Sequence, residues 1–347
     1  MSRISIIAGA LAACGLALSA NAQVNLTAET ASPVSVPGNT MLSLAEVASK
    51  EGIANIQVAT GPTLTNSVQN VAEGKTDIAS APFLLTFLLA RGAGPYAKIG
   101  KEKGPELAGK LAVLYTYRFG SYGLFAYDSR NFGGWDAVKG ATIYNGPPRG
   151  AALNRARALI KLATGLDDGK GYTGLQVNWG QAIKTITDGS ADAQVLPLNF
   201  PDGRISAALA SGTITVWSMP KDKFESEAAQ KYMHAPGTVG VVMPKDGLFG
   251  PGVTVVSEDD KFRAIGEVGG EVVNVSMDFE LAKALTRAFI EHMDVFKART
   301  PFMPTVYLGE TDLKFTGMCG AVPVKYHPGA VAAWEEAGYT IPDCAKP

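Results

Sequence analysis

The sequence is poor in the residues that build metal and nucleophile centres, with three histidines and three cysteines among 347 residues. His234, His292 and His327 are far apart, and none has the spacing of a metal-binding pair. The chain lacks H-E-x-x-H, G-x-G-x-x-G and Walker motifs. Its nearest approach to a nucleophile elbow, Gly120-Ser121-Tyr122-Gly123, has the wrong spacing. We therefore expect no metal, no cofactor and no enzymatic activity.

The sequence also lacks a large excess of either charge and, beyond its N-terminus, long apolar runs. The chain has 31 basic and 32 acidic residues, a net charge of −1, and no dense basic patch. This balance gives no sign of a nucleic-acid partner. After the first 22 residues, no stretch approaches the roughly 20 apolar residues that cross a bilayer. We expect a protein that is not itself embedded in a membrane.

The N-terminus has the anatomy of an export signal. Arg3 precedes an apolar run from Ile4 to Leu18, and Ala20-Asn21-Ala22 is an A-x-A cleavage site. Leu11-Ala12-Ala13-Cys14 also matches a lipoprotein box, and cleavage there is the alternative. We favour a signal peptide over residues 1–22 that is cleaved after Ala22, which predicts a periplasmic protein.

Removal of the signal leaves two cysteines, Cys319 and Cys344, near the C-terminus. An oxidising compartment favours a disulfide between them, and two unpaired thiols are the alternative. A bridge closing a loop of this length contributes about 3 kcal/mol in the chain-entropy model.

A short pattern occurs once in each half of the chain. Residues 68–80 contain an amphipathic helix that stops at Glu73-Gly74, after which Asp77 opens an apolar strand. Residues 183–195 repeat this outline with Asp188-Gly189 and Asp192. A glycine just past a helix suits a left-handed cap. The repeat predicts two similar α/β lobes with a ligand cleft between them.

The whole pattern predicts an α/β protein of the two-lobed, type II-like periplasmic binding kind, each lobe a sheet flanked by helices. We expect lobe 1 to comprise residues 23–118 and about 236–347, and lobe 2 to comprise about 119–235. Two crossing strands, Leu111 to Tyr117 and Tyr122 to Tyr127, separated at Arg118-Phe-Gly-Ser121, suit a hinge.

Candidate ligand residues lie where strands give way to helices, because ligands gather at the carboxyl ends of strands in such sheets. The strongest loop is Tyr144 to Ala151, in which Arg149 can hold a carboxylate and the following helix offers free N–H groups. A solvated arginine in a stiff turn is the alternative. The full set predicted to bind the ligand is Asn39, Thr40, Thr63, Thr65, Asn66, Ser80, Tyr144, Gly146, Arg149, Gly150, Ala151 and Asn199.

An ordered set of stretches resembles the TAXI family of extracytoplasmic solute receptors, which serve tripartite ATP-independent periplasmic (TRAP) transporters. The stretches are Val58 to Asn66, Trp135 to Gly140, the two acidic-Gly patterns, and Tyr326-His327-Pro328-Gly329-Ala330. The chain departs from the family at Ser32 to Thr40, where a glycine- and tyrosine-rich loop is usual, and at Gly146 to Gly150. Both departures fall on expected ligand loops.

The resemblance implies a periplasmic receptor that closes on a small organic anion, a carboxylate or acidic amino acid, and delivers it to the permease subunits of a TRAP transporter. The alternatives are an ABC-type substrate-binding protein of the same general fold and an exported enzyme that uses the same cleft.

Overall fold

The structure is a computed structural model that describes residues 23–347, apart from the side chain of Ile183. The predicted signal peptide therefore lies outside the described residues. Within this range, strands and helices alternate over both halves of the chain. The strands are β1 (Val24–Thr30), β2 (Ala54–Thr60), β3 (Ile78–Pro82), β4 (Leu111–Tyr127), β5 (Thr142–Tyr144), β6 (Thr173–Leu175), β7 (Ala193–Leu198), β8 (Ile214–Trp217), β9 (Thr238–Pro244), β10 (Val253–Val256), β11 (Lys261–Asn274) and β12 (Lys325–Tyr326).

The helices cover both faces of the sheet, and the predicted α/β class is confirmed. They are α1 (Val36–Lys50), α2 (Leu64–Ala72), α3 (Phe83–Ala90), α4 (Gly100–Ala108), α5 (Ala151–Thr164), α6 (Ala182–Thr187), α7 (Gly203–Ala208), α8 (Lys221–Phe224), α9 (Glu227–Met233), α10 (Phe279–Glu291), α11 (Met293–Ala298), α12 (Leu313–Thr316) and α13 (Pro328–Glu336).

The mixed sheet contains two parallel blocks with the same strand order. In the first block β1 lies between β2 and β3, and in the second β5 lies between β6 and β7. The long strands β4 and β11 pair with each other antiparallel and join the two blocks. Because each parallel block is a strand–helix–strand series, the carboxyl ends of its strands lead directly into helices.

The repeated pattern has a structural counterpart in each block. The carboxylate of Asp77 accepts a hydrogen bond from the Thr27 backbone N–H (2.7 Å), and that of Asp192 accepts one from the Thr142 N–H (2.7 Å). Each aspartate also donates its own N–H to the carbonyl of the same threonine, at 3.2 and 2.8 Å. Both pairs are separated by 50 residues. The repeat therefore encodes the same junction between a first and a third strand.

The predicted break between two hinge strands is wrong, because β4 is one continuous strand of 17 residues. Arg118 and Gly120 remain paired to Val268 and Glu267 of β11, with a one-residue shift in register between those two partners. The backbone N–H of Arg118 also donates to the Val306 carbonyl (2.7 Å). The polar and glycine residues in this segment mark an irregularity in the pairing between β4 and β11, and they do not end the strand.

Buried apolar side chains gather in separate clusters around the two blocks. One cluster draws on residues 26–119 and 268–345, and it also includes Ala151. Two others draw on residues 122–265. The lobe boundaries given above remain a prediction. Near the C-terminus, Cys319 and Cys344 form a disulfide in the structure, with a Cα–Cα distance of 5.4 Å.

Candidate functional site

Two helix N-termini, one from each parallel block, meet at the carboxyl ends of the strands. Thr65 lies in the first turn of α2, and Gly150 directly precedes α5. A methyl group placed on Gly150 would lie 3.5 Å from Thr65 Oγ1. Ala151, the first residue of α5, packs against the apolar cluster of the opposite block. The structure therefore brings together three of the residues that the sequence predicted to bind the ligand. We call this contact the α2–α5 cleft.

Thr65 contributes a hydroxyl that has no protein partner. Its side chain is 6% exposed, and Oγ1 makes no hydrogen bond with any described residue. A buried hydroxyl without a partner costs about 1–3 kcal/mol, so such groups call for an explanation. Thr63, the N-cap of α2, makes no capping bond with its side chain, and Asn66 is exposed. All three polar groups are available at this helix start.

The loop before α5 provides backbone donors and a free cation. Gly146 and Gly150 have φ of +106° and +108°, a backbone conformation that L side chains rarely adopt. Arg149 is exposed and makes no hydrogen bond or ion pair within residues 23–347. Tyr144 is fully buried and its hydroxyl donates to the Val177 carbonyl (3.1 Å). The Tyr144 side chain thus packs beneath the loop, whereas the Arg149 side chain lies exposed at its edge.

The other candidates in the first block are already hydrogen-bonded within the protein. Helix α1 begins at Val36 with Ser35 as its cap, so Asn39 and Thr40 lie inside the helix. Asn39 Nδ2 donates to the Ser35 carbonyl (2.8 Å). Ser80 and Thr30 share a hydrogen bond between their hydroxyls (2.8 Å). These side chains hold the strand ends and the first turn of α1 together.

Thr40 is hydrogen-bonded to a buried acid, Glu271, that the sequence analysis did not identify. Its hydroxyl donates to Glu271 Oε1 (2.7 Å), which also accepts from the Tyr117 hydroxyl (3.1 Å). The Glu271 side chain is fully buried in β11, and burial raises its pKa to about 7. The sequence signal was an acid inside the largely apolar run from Ala264 to Val273, a position where ionised groups are rare.

A second buried acid in β11 pairs with a buried arginine of α5. Arg155 Nε lies 3.7 Å from Glu267 Oε1, and both side chains are almost fully buried. Burial raises the pKa of Glu267, against the opposing effect of Arg155. Arg155 Nη2 also donates to the carbonyls of Pro236 and Gly237, at 2.7 and 2.8 Å. This network, which sequence reasoning also missed, fixes α5 behind the cleft.

Asn199 follows β7 and lies in the loop that leads to α7. Its backbone N–H donates to Asp202 Oδ2 (3.0 Å), and Asp202 caps the helix through Arg204 and Ile205. The Asn199 side chain is buried, and its Oδ1 has no partner among the described residues. In the part of the chain that the structure covers, no group of His, Cys, Asp and Glu is arranged to hold a metal ion. No helix in that part is long and apolar enough to cross a membrane.

Comparison with known proteins gives one family and a set of distant structures. A sequence model of the NMT1-like family matches residues 27–338. No curated protein sequence matches the chain significantly. Among solved structures, one similar chain is a protein of Bordetella bronchiseptica RB50, with 15% identity, coverage of 92% of this chain and 91% of that chain, and a TM-score of 0.48.

Two further structures are periplasmic binding proteins by their descriptions. The periplasmic aliphatic sulphonate binding protein SsuA from Escherichia coli is 11% identical over 90% of this chain and 83% of that chain, with a TM-score of 0.43. A TRAP periplasmic solute binding protein from Chromohalobacter salexigens, solved with bound D-glucuronate, is 14% identical over 91% of this chain and 87% of that chain, with a TM-score of 0.46.

Proposed function

This chain belongs to the NMT1-like family, and we propose that it is an exported receptor that captures a small organic anion between two lobes. The proposal rests chiefly on Thr65, whose buried hydroxyl has no partner among the described residues and faces Gly150 across the α2–α5 cleft. Such a hydroxyl is expected where a ligand supplies the missing hydrogen bond. The ligand class that we propose is a carboxylate or an acidic amino acid.

An anion suits this position for electrostatic reasons. The first turns of α2 and α5 present backbone N–H groups without helical partners, and each helix carries partial positive charge at that end. Two such ends that converge on one point favour negative charge between them. Arg149 is exposed at the rim and pairs with no carboxylate among residues 23–347, and its guanidinium can bind a carboxylate through two parallel hydrogen bonds.

We further propose that the mature protein begins near Gln23, is periplasmic, and passes its ligand to the permease subunits of a TRAP transporter. The TRAP assignment rests on the resemblance of the ordered stretches to the TAXI family. A co-purification of the mature protein with the permease encoded beside its gene tests this step. Recovery of an ATP-hydrolysing subunit in place of a TRAP permease would assign the protein to an ABC system.

A thermal-shift screen of the mature protein against carboxylates and acidic amino acids tests the proposed function. A ligand of the folded state at 100 times its dissociation constant adds about 2.7 kcal/mol of stability. We expect the shift to shrink in Arg149→Gln and to persist in Arg287→Gln, which changes an exposed arginine of α10. No shift with any anion would overturn the proposal.

Thr65→Val gives the sharper comparison, because valine keeps the shape of threonine and lacks its hydroxyl. The unliganded variant should be at least as stable as the wild type, since the hydroxyl has no partner to lose. Affinity for the anion should fall by roughly tenfold or more, the value of a hydrogen bond to a charged group. A variant with unchanged affinity would remove Thr65 from the site.

A further inference from the structure

Arg118 is a buried cation without a counter-ion. It lies in the middle of β4 with 1% of its surface exposed. Nη2 donates to the Thr305 carbonyl (2.7 Å), whereas Nε and Nη1 have no hydrogen-bond partner among the described residues. Burial lowers its pKa to about 10, so the guanidinium is still charged at neutral pH. An unpaired buried charge is costly, and proteins normally satisfy it with an anion.

The side chain of Arg118 lines a cavity of about 440 Å³. This volume lies within the range of small-molecule sites. One wall is the outer strand β9, which contributes Val239 and Val241, and the opposite wall is the segment that carries Tyr307 and Phe315. The cavity thus combines charged groups of both signs, among them Arg118, Glu310 and Asp312, with apolar and aromatic sides.

The ring of Tyr307 lies over the Arg118 guanidinium, and the backbone of Tyr307 adopts a strained conformation. Its ring centroid lies 5.2 Å from Arg118 Cζ and 5.6 Å from the ring centroid of Phe315. Tyr307 has φ of +53°, which is uncommon for a bulky residue and costs about 1–3 kcal/mol. Its side chain is half exposed, so burial of the ring does not explain the strain. Strain of this kind clusters at ligand clamps.

Two acids, Glu310 and Asp312, also line the cavity, and neither forms an ion pair with Arg118 in the described part of the chain. Glu310 Oε1 accepts the Asp312 N–H (2.9 Å), and Asp312 Oδ1 accepts the N–H groups of Lys314 and Phe315 at 2.8 and 3.3 Å. Both acids therefore hold their own loop and the short helix α12. Lys314 lines the cavity and adds a second cation. The two free donors of Arg118 remain unsatisfied within residues 23–347.

We propose that this cavity binds a small monocarboxylate with an aromatic or other apolar body. The carboxylate pairs with the guanidinium of Arg118, and the body lies between Tyr307 and Phe315 on one side and the valines of β9 on the other. None of the residues that line this cavity belongs to the α2–α5 cleft. The protein accordingly has a second ligand site, independent of the one described above.

Titration calorimetry with phenylacetate as the probe, and with its neutral amide phenylacetamide as the matched ligand, tests this proposal on the mature protein. We expect phenylacetate to bind the wild type at least tenfold more tightly than the amide, because only the acid pairs with Arg118. Arg118→Gln should weaken phenylacetate binding at least tenfold. Arg287→Gln, which changes an exposed arginine of α10 outside both sites, should change it less than about twofold.

Tyr307→Gly keeps the experiment decisive if Arg118→Gln fails to fold. Glycine adopts the positive φ freely and the ring is half exposed, so this variant should fold. We expect it to bind phenylacetate roughly fivefold more weakly through loss of the aromatic wall. Absence of phenylacetate binding to the wild type up to about 10 mM, or equal affinity for the amide, would overturn the proposal. Failure of the anion screen on the α2–α5 cleft would leave these results unaffected.

Discussion

Protonation of Glu271 should make the stability of the protein depend on pH in an unusual direction. Burial raises its pKa from 4.5 to about 7 in the folded state. An unfolded chain releases this proton near its ordinary pKa, whereas the folded protein keeps it until about neutral pH. The folded state thus binds more protons between these limits, so its stability falls as pH rises. One pKa unit corresponds to about 1.4 kcal/mol, and the whole contribution is about 3 kcal/mol.

Glu271→Gln should remove this dependence, because glutamine keeps the acceptor for Thr40 and Tyr117 and does not ionise. Urea unfolding of both proteins at about pH 5 and pH 8 measures the effect. The wild type should lose roughly 2–3 kcal/mol relative to the variant between the two values.

The contribution of Glu267 to the pH dependence must be measured separately, because burial raises the pKa of Glu267 as well. Glu267→Gln measured in the same series separates the two acids. Parallel stability profiles for the wild type and Glu271→Gln would refute the reasoning, because they would place the Glu271 pKa near its unfolded value.

Three further perturbations follow from the fold. Asp77→Asn and Asp192→Asn each weaken the same strand junction, so urea unfolding should show similar losses of about 1–2 kcal/mol; a loss in only one would contradict the structural repeat. Reduction of Cys319–Cys344 should destabilise the protein by about 3 kcal/mol in calorimetry, and an unchanged melting temperature would argue against it. Gly150→Ala should lower stability by about 1 kcal/mol through its positive φ, whereas a neutral effect would show that the loop relaxes.

Local patterns in the sequence predicted the repeated architecture well. A helix, α5 (Ala151–Thr164), follows the Tyr144 loop as expected, because its apolar spacing and its terminal Gly165 are both local signals. The acidic-Gly pattern marked equivalent junctions, since Asp77 and Asp192 carry out the same task fifty residues after Thr27 and Thr142. Such signals depend only on neighbouring residues, so they can be recognised without knowledge of the tertiary fold.

Features that depend on distant contacts were not predictable. The sequence around Arg118 and Gly120 predicted a break between two strands. In the structure both residues pair with β11, and β4 is continuous. Glu271 gains its raised pKa from burial beside residues more than 150 positions away. The partner-free hydroxyl of Thr65 is likewise visible only in three dimensions. Capping preferences did not separate ligand groups from structural ones.

The central claim, that an anion is held between two lobes, is tested most directly by an inter-lobe distance. Spin labels on Lys75→Cys and Lys161→Cys, exposed residues just after α2 and within α5, report that distance with and without the carboxylate found in the thermal-shift screen. The account predicts a broad distribution without the ligand that shifts to shorter, narrower distances when it is saturating. An identical distribution in both conditions would contradict capture by closure.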